Sequence, residues 1–234
     1  FYYKLQLYEK AKEYNRLKFE AIDNRIAEDS FLYYETLYEK AMLFNKTNQL
    51  DLGEQLTFSV IDFANKTHNE KLKEYALSNY RSALLNNNNF EKIAQLYSGK
   101  FLPELLLLES KDSLLYNRIQ AFIKEYEQKY DSAEIYNRRA EDLLFYNKNP
   151  SLKATFYQRF AQYYERRNNT NKQIVYWEKS LEFSEKADNS LLVLECCYAL
   201  DNLYKKTDNA SARIQILEKT THYQKINFDQ VSAD

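Results

Sequence analysis

The chain has 234 residues, of which 29% are charged, and its formal net charge is -1 at pH 7. So balanced a charge gives no global field toward nucleic acid or an anionic membrane. Two glycines (Gly53, Gly99) and two prolines (Pro103, Pro150) leave too little punctuation for hairpins and sandwiches, which excludes an all-β fold.

The predicted elements are helices throughout, near residues 2 to 26, 31 to 46, 50 to 66, 70 to 86, 90 to 97, 101 to 109, 112 to 129, 131 to 147, 151 to 167, 171 to 186, 190 to 206 and 210 to 225. Turn and cap clusters mark their ends: Lys46-Thr47-Asn48, Lys66-Thr67-His68-Asn69, Asn86 to Asn89, Asn147 to Pro150, Asn168 to Asn171 and Thr207-Asp208-Asn209. Aromatic residues make up 16% of the chain, with 22 Tyr, 14 Phe and one Trp, enough bulk to fill contacts between many short helices. Tyr157, Phe160, Ala161 and Tyr164 form one apolar stripe at helical spacing, and Ile174, Trp177 and Leu181 form another. The stretch 86 to 110 breaks the spacing and holds Gly99 and Pro103, so an irregular connection is expected there, with a domain boundary as the alternative.

An internal period of 40 residues organises the chain: Tyr164 matches Tyr204, Ile174 matches Ile214, and Glu178-Lys179 matches Glu218-Lys219. Small residues recur in the same way, with Ala41, Ala121 and Ala161 on one series, Gly53 and Ala133 on a second, and Ala140 and Ser180 on a third. Each unit reads as two amphipathic helices, the small residues falling where they approach closely. The fold expected is all-α, a right-handed superhelical solenoid of antiparallel helix pairs, forming one domain over residues 1 to 234.

From Ala154 onward, Tyr157, Phe160, Ala161, Tyr164, Trp177 and Ser180 occupy the bulky and small slots of a known helical-hairpin signature, while Gln173 departs from it. Ala121, Ala133 and Ala140 fit in the preceding unit, where Asn117 and Asn137 miss the bulky slots, and Ala41, Phe44, Gly53 and Val60 fit in an early one. On these residues the chain resembles the tetratricopeptide (TPR) repeat over residues 31 to 67 and 112 to 225, with a period longer than that family's usual 34. The phrases Lys111-Asp112-Ser113-Leu114 and Tyr130-Asp131-Ser132-Ala133, with the Tyr and Asn richness, resemble sensor portions of Bacteroidetes-type transcriptional regulators and membrane-tethered signalling proteins.

The resemblance implies a groove lined by the first helix of each pair, with a protein or peptide as partner. Carried over by register, the groove slots hold Tyr38, Met42 and Asn45; Arg118, Phe122, Glu125 and Tyr126; Gln158, Gln162 and Glu165; and Tyr198, Asn202 and Lys205. Asn202 and Lys205 alone hint at the lysine and asparagine clamp of cochaperone relatives, which argues against a chaperone adaptor. The expected function is a non-catalytic binding or sensor region of a bacterial regulatory protein. The alternatives are a peptide-pheromone receptor region of a quorum-sensing regulator and a passive assembly scaffold.

No catalytic constellation stands against that reading. A glycine-rich phosphate loop, His-Glu-x-x-His, Cys-x-x-Cys and Gly-x-Ser-x-Gly are all missing from the sequence, and no enzyme activity or cofactor is expected. His68 and His222 lack neighbouring Cys or His to form a metal site. Glu125, Glu127, Glu141 and Asp142 sit among Lys and Arg at helical spacing, as solvated faces do. Arg138-Arg139 and Arg166-Arg167 have acidic neighbours, so direct nucleic-acid binding is not expected. Cys196 and Cys197 are consecutive on a helix and read as packing residues rather than a disulfide. Apolar runs such as Leu105 to Leu108 are far short of the roughly 20 residues needed for a membrane span. A soluble segment is expected, periplasmic or cytoplasmic in a bacterium, and the opening at Phe1 suggests a piece of a longer protein. Exposed flanks of terminal repeats make a homodimer a further expectation.

Overall fold

The computed structural model describes residues 31–99 and 101–232, together with Lys10, Glu13, Tyr14, Arg16, Leu17 and Glu20. The expected first helix, 2 to 26, thus lies largely outside the described residues. Among the described residues the chain is all-α, with helices α1 (Phe31–Lys46), α2 (Leu50–Lys66), α3 (Glu70–Asn86), α4 (Phe90–Ser98), α5 (Leu102–Lys111), α6 (Ser113–Tyr126), α7 (Tyr130–Phe145), α8 (Pro150–Arg166), α9 (Thr170–Lys186), α10 (Ser190–Lys206) and α11 (Ala210–Ser232). The last of these runs further than the sequence pattern suggests, because its apolar stripe fades before the helix does.

The turns explain the regularity. Asn48, His68, Asn88, Gln128, Asn168, Asp188 and Asp208 all adopt positive φ, at successive steps of 20 residues or multiples of it. Each ends a helix with a paired bond pattern: His68 N–H donates to the Asn65 carbonyl while Asn69 N–H donates to the Ala64 carbonyl, and the same pair recurs at Asn168–Asn169 and Asp188–Asn189. This satisfies carbonyls that the helix end would orphan. Glycine usually holds such a left-handed position, but asparagine and aspartate tolerate it through their short polar side chains.

The next residue starts the following helix. Asn69, Asn89, Asn149, Asn169, Asn189 and Asn209 each accept, through the side-chain oxygen, the backbone N–H three residues on. The underlying step is therefore one 17-residue helix plus a three-residue turn, and the 40-residue sequence period is two such steps. The step fails at two places. Near residue 108 the short helix α5 is inserted, and before α8 the turn is rebuilt around Asn147, whose side chain accepts the Asn149 N–H at 2.8 Å, and Pro150 at the helix start.

The chain forms two compact units, Phe1–Ala140 and Glu141–Asp234, and the division falls within α7. The irregular stretch 86 to 110 lies inside the first unit. There α1 packs on α2, α2 on α3, and α1 also on α3, while α4, α5 and α6 pack on one another. Val60, Ile61, Leu84, Ile93 and Ile119 are fully buried in this core. Asn117 enters the core despite its amide because its side chain donates to the Ser113 carbonyl at 2.7 Å.

In the second unit α8 packs on α9, α9 on α10 and α10 on α11. Phe160 is 1% exposed and contacts four other rings, the nearest Tyr176 at 4.2 Å between centroids. Small residues permit the close approach: the Ser180 hydroxyl donates to the Ala154 carbonyl across the pair at 2.9 Å, with both residues fully buried. Cys196 and Cys197 are free and fully buried, and the Cys196 thiol donates to Ser180 at 3.3 Å. Burial pushes the Cys196 thiol up to about 12, so the two act as packing groups and not as nucleophiles.

Candidate functional site

In the first unit, α1 and α3 lie side by side and share a face carrying Tyr38, Met42 and Asn45 from α1 with Tyr75 and Asn79 from α3. The Asn45 side chain is 3% exposed and its Nδ2 donates to Asn79 Oδ1 at 2.9 Å, bridging the two helices. Gly53 on α2 makes this possible, since a Cβ there would stand 2.1 Å from Asn45 Oδ1. Helical packing thus dictates glycine at this position, where the chain has no conformational need for it. Asn79 stays half-buried, with its Oδ1 engaged by Asn45.

The tyrosines flank this bridge. Tyr75 is half exposed and Tyr38 is half-buried. Partial burial first, and the neighbouring Tyr75 second, raise the Tyr38 hydroxyl above its usual range, so it stays a neutral donor. Lys71 lies over the Tyr75 ring at 5.6 Å. Aromatic surface beside an amide bridge can offer an extended chain apolar contact for its side chains and a polar partner for its backbone.

The remaining residues expected from sequence are placed less uniformly. Phe122, expected at a groove, is 6% exposed and packs against Phe90 at 4.7 Å in the first unit's core. Helix α6 turns it inward because α4 and α5 both need cover. On the same helix Arg118 and Glu125 are half-buried and Tyr126 is exposed. Desolvation lowers the Arg118 pKa, opposed by the Asp112 carboxylate at the start of the helix.

In the second unit, Gln158 and Gln162 on α8 are half-buried, and Glu165 at its end is exposed. Partial desolvation raises the Glu195 carboxyl on α10, and the neighbouring Gln158 amide offsets part of that rise, so Gln158 and Glu195 form one patch. Tyr198, Asn202 and Lys205 on α10 are exposed. The Tyr198 hydroxyl accepts from Gln224 of α11 at 2.9 Å. The structure therefore brings together Tyr38, Met42 and Asn45, and separately places Gln158 beside Glu195.

Tyr75 and Asn79 were not among the residues expected from sequence. They lie between the two segments that resemble the repeat, 31 to 67 and 112 to 225. The asparagine caps at 69 and 89 were the available signal, since they place α3 in register with α1.

Among the described residues, no group of three His, Cys, Asp or Glu side chains is placed to hold a metal ion. No described helix is long and apolar enough to cross a membrane. Helix α5 buries Leu105 alone and leaves Leu102, Leu106 and Leu107 exposed.

These features define an all-α protein whose helices pack in consecutive pairs. No protein-family model matches the chain, and no curated protein matches it in sequence. Among solved structures, the crystal structure of BtubC (BKLC) from P. vanneervenii is similar, with a TM-score of 0.59 and 16% identity over 94% of this chain and 89% of that one. At that identity the likeness extends to the helical fold.

Proposed function

We propose that this chain is a non-catalytic protein- or peptide-binding region of TPR type, serving as the sensor portion of a bacterial regulatory protein, and that the face shared by α1 and α3 receives an extended peptide. The observation that carries this reading is the Asn45–Asn79 bridge between alternate helices, with Tyr38 and Tyr75 beside it. A buried asparagine held against Gly53 fixes the Asn79 carboxamide, which then presents its N–H groups to a peptide carbonyl. Such preorganisation reduces the ordering cost of binding.

The test is selection of a displayed random peptide library on the whole chain, followed by affinity measurement of the enriched peptides. Asn79→Ala is expected to weaken them by about tenfold, the loss of a buried hydrogen bond plus its positioning. Tyr38→Ala is expected to do at least as much, through lost aromatic burial. Peptides that bind both variants as well as the parent chain would place the binding face elsewhere.

A further inference from the structure

Arg81 of α3 is a buried cation, 9% exposed, on the side of the helix that meets α4. Two contacts hold its guanidinium: Nη1 donates to the Tyr97 hydroxyl of α4, and Nη2 donates to Ser78 Oγ one turn back, each at 3.2 Å. Both acceptors are neutral. Tyr97 is 1% exposed, and burial first raises its hydroxyl above the usual range against the opposing pull of Arg81, so it stays a phenol. Among the described residues no carboxylate lies within ion-pair distance of Arg81.

The neighbouring cations are treated differently. Lys73, earlier on α3, pairs with Glu104 of α5 at 2.9 Å, and Lys92 of α4 pairs with Asp51 of α2 at 2.7 Å. Glu104 is close enough to act on Tyr97 through space, yet its ion pair is made with Lys73. A buried charge is costly unless it is paired, and an arginine cannot escape that cost by shedding its proton as a lysine can. Hydroxyl oxygens orient the guanidinium without neutralising it. Of its N–H donors, these bonds use one on each Nη. Nε makes neither bond and is not sealed from solvent. Arg81 therefore carries an unbalanced positive charge, held in a fixed orientation, with donors still free and a narrow opening.

We propose that Arg81 anchors a small anion site whose ligand is a singly charged carboxylate of about acetate size. One unbalanced positive charge calls for one negative charge, and the planar guanidinium fork matches the two oxygens of a carboxylate. The carboxylate takes the free guanidinium N–H groups, with the half-buried Ser78 hydroxyl beside them as a further donor. Tyr97 holds the fork from the closed side.

Thermal melts of the whole chain test this. Replacing chloride by acetate at constant ionic strength is expected to raise the melting temperature saturably, by about 3 °C at about 100 mM for a dissociation constant of about 10 mM. Acetamide, which has the same shape without the charge, is expected to give no rise. Arg81→Gln is expected to abolish the acetate effect, and Arg81→Lys, which keeps the charge but loses the fork, to weaken acetate by about threefold or more. The melts themselves report whether each variant is folded, and the comparison of acetate with chloride and acetamide stands on the parent chain alone. An equal rise with acetamide, no rise with acetate on the parent chain, or a rise that survives in Arg81→Gln would overturn the proposal. None of the probes is a peptide and Arg81 is not part of the α1–α3 face, so these results bear on the anion site alone.

Discussion

The two units solve the same packing problem with different regularity. In the second, α8, α9 and α10 are each 17 residues long, each begins on an asparagine cap, and the space between α8 and α9 is filled by stacked rings. In the first, α4 is cut to nine residues, α5 is inserted, and a cleft opens where a full helix would have packed. Regular stepping gives a closed core in which the few buried polar groups, such as Ser180 and Ser184, are small and hydrogen-bonded. The interruption leaves Glu54, Asp62, Lys92 and the rings of Phe58 and Phe101 around a cleft. In this chain the opening coincides with the change in helix length.

The largest expected effect tests the closed core. Phe160→Ala should cost about 3–5 kcal/mol, since a buried ring is lost and its four aromatic neighbours cannot collapse into the space. Urea unfolding followed by tryptophan fluorescence reports this directly, because Trp177 lies in the same unit. A loss below about 1 kcal/mol would show that the ring cluster is loosely packed.

Gly53→Ala comes next, in the first unit. The new methyl group meets the Asn45 carboxamide, so the side chain must leave its bridge to Asn79, at about 1–3 kcal/mol. Combined with Asn79→Ala the two losses should be less than additive, and a double-mutant cycle with full additivity would disconnect Gly53 from the bridge.

Removing a cap, Asn169→Ala, should cost about 1 kcal/mol by thermal melting, as Lys172 N–H loses its acceptor. The smallest effect has the opposite sign. Gln128 holds a left-handed position with a residue poorly suited to it, so Gln128→Gly should stabilise by about 0.5–1 kcal/mol or less, the gain in native strain being partly offset by unfolded-state entropy. Destabilisation at this position would mean that the Gln128 side chain makes a contribution its turn geometry does not explain.

The helices were legible because asparagine caps and apolar stripes repeat every 20 residues, and because Ala41, Ala121, Ala161, Ala133, Ala140 and Ser180 all mark buried close approaches. Asn117 and Gln173 also proved compatible with burial, the first through a local bond to Ser113. The binding faces were harder to read. Register alone cannot tell that Phe122 turns inward, since that depends on where α4 and α5 lie, and α5 interrupts the periodicity on which the register rests. Nor can it reveal the Asn45–Asn79 bridge, whose partners are 34 residues apart and fall on different steps of the 40-residue pattern. The cleft depends on the difference between two helix lengths, visible in sequence as the Gly99 and Pro103 break but without its geometric consequence.

Amide hydrogen exchange on the whole chain, with and without a peptide selected for affinity, tests the central claim most directly. The account predicts added protection in α1 and α3, centred on residues 38 to 45 and 75 to 79, with α8 to α11 unchanged. Protection confined to α8 to α11, or no change in α1 and α3 at saturating peptide, would contradict it.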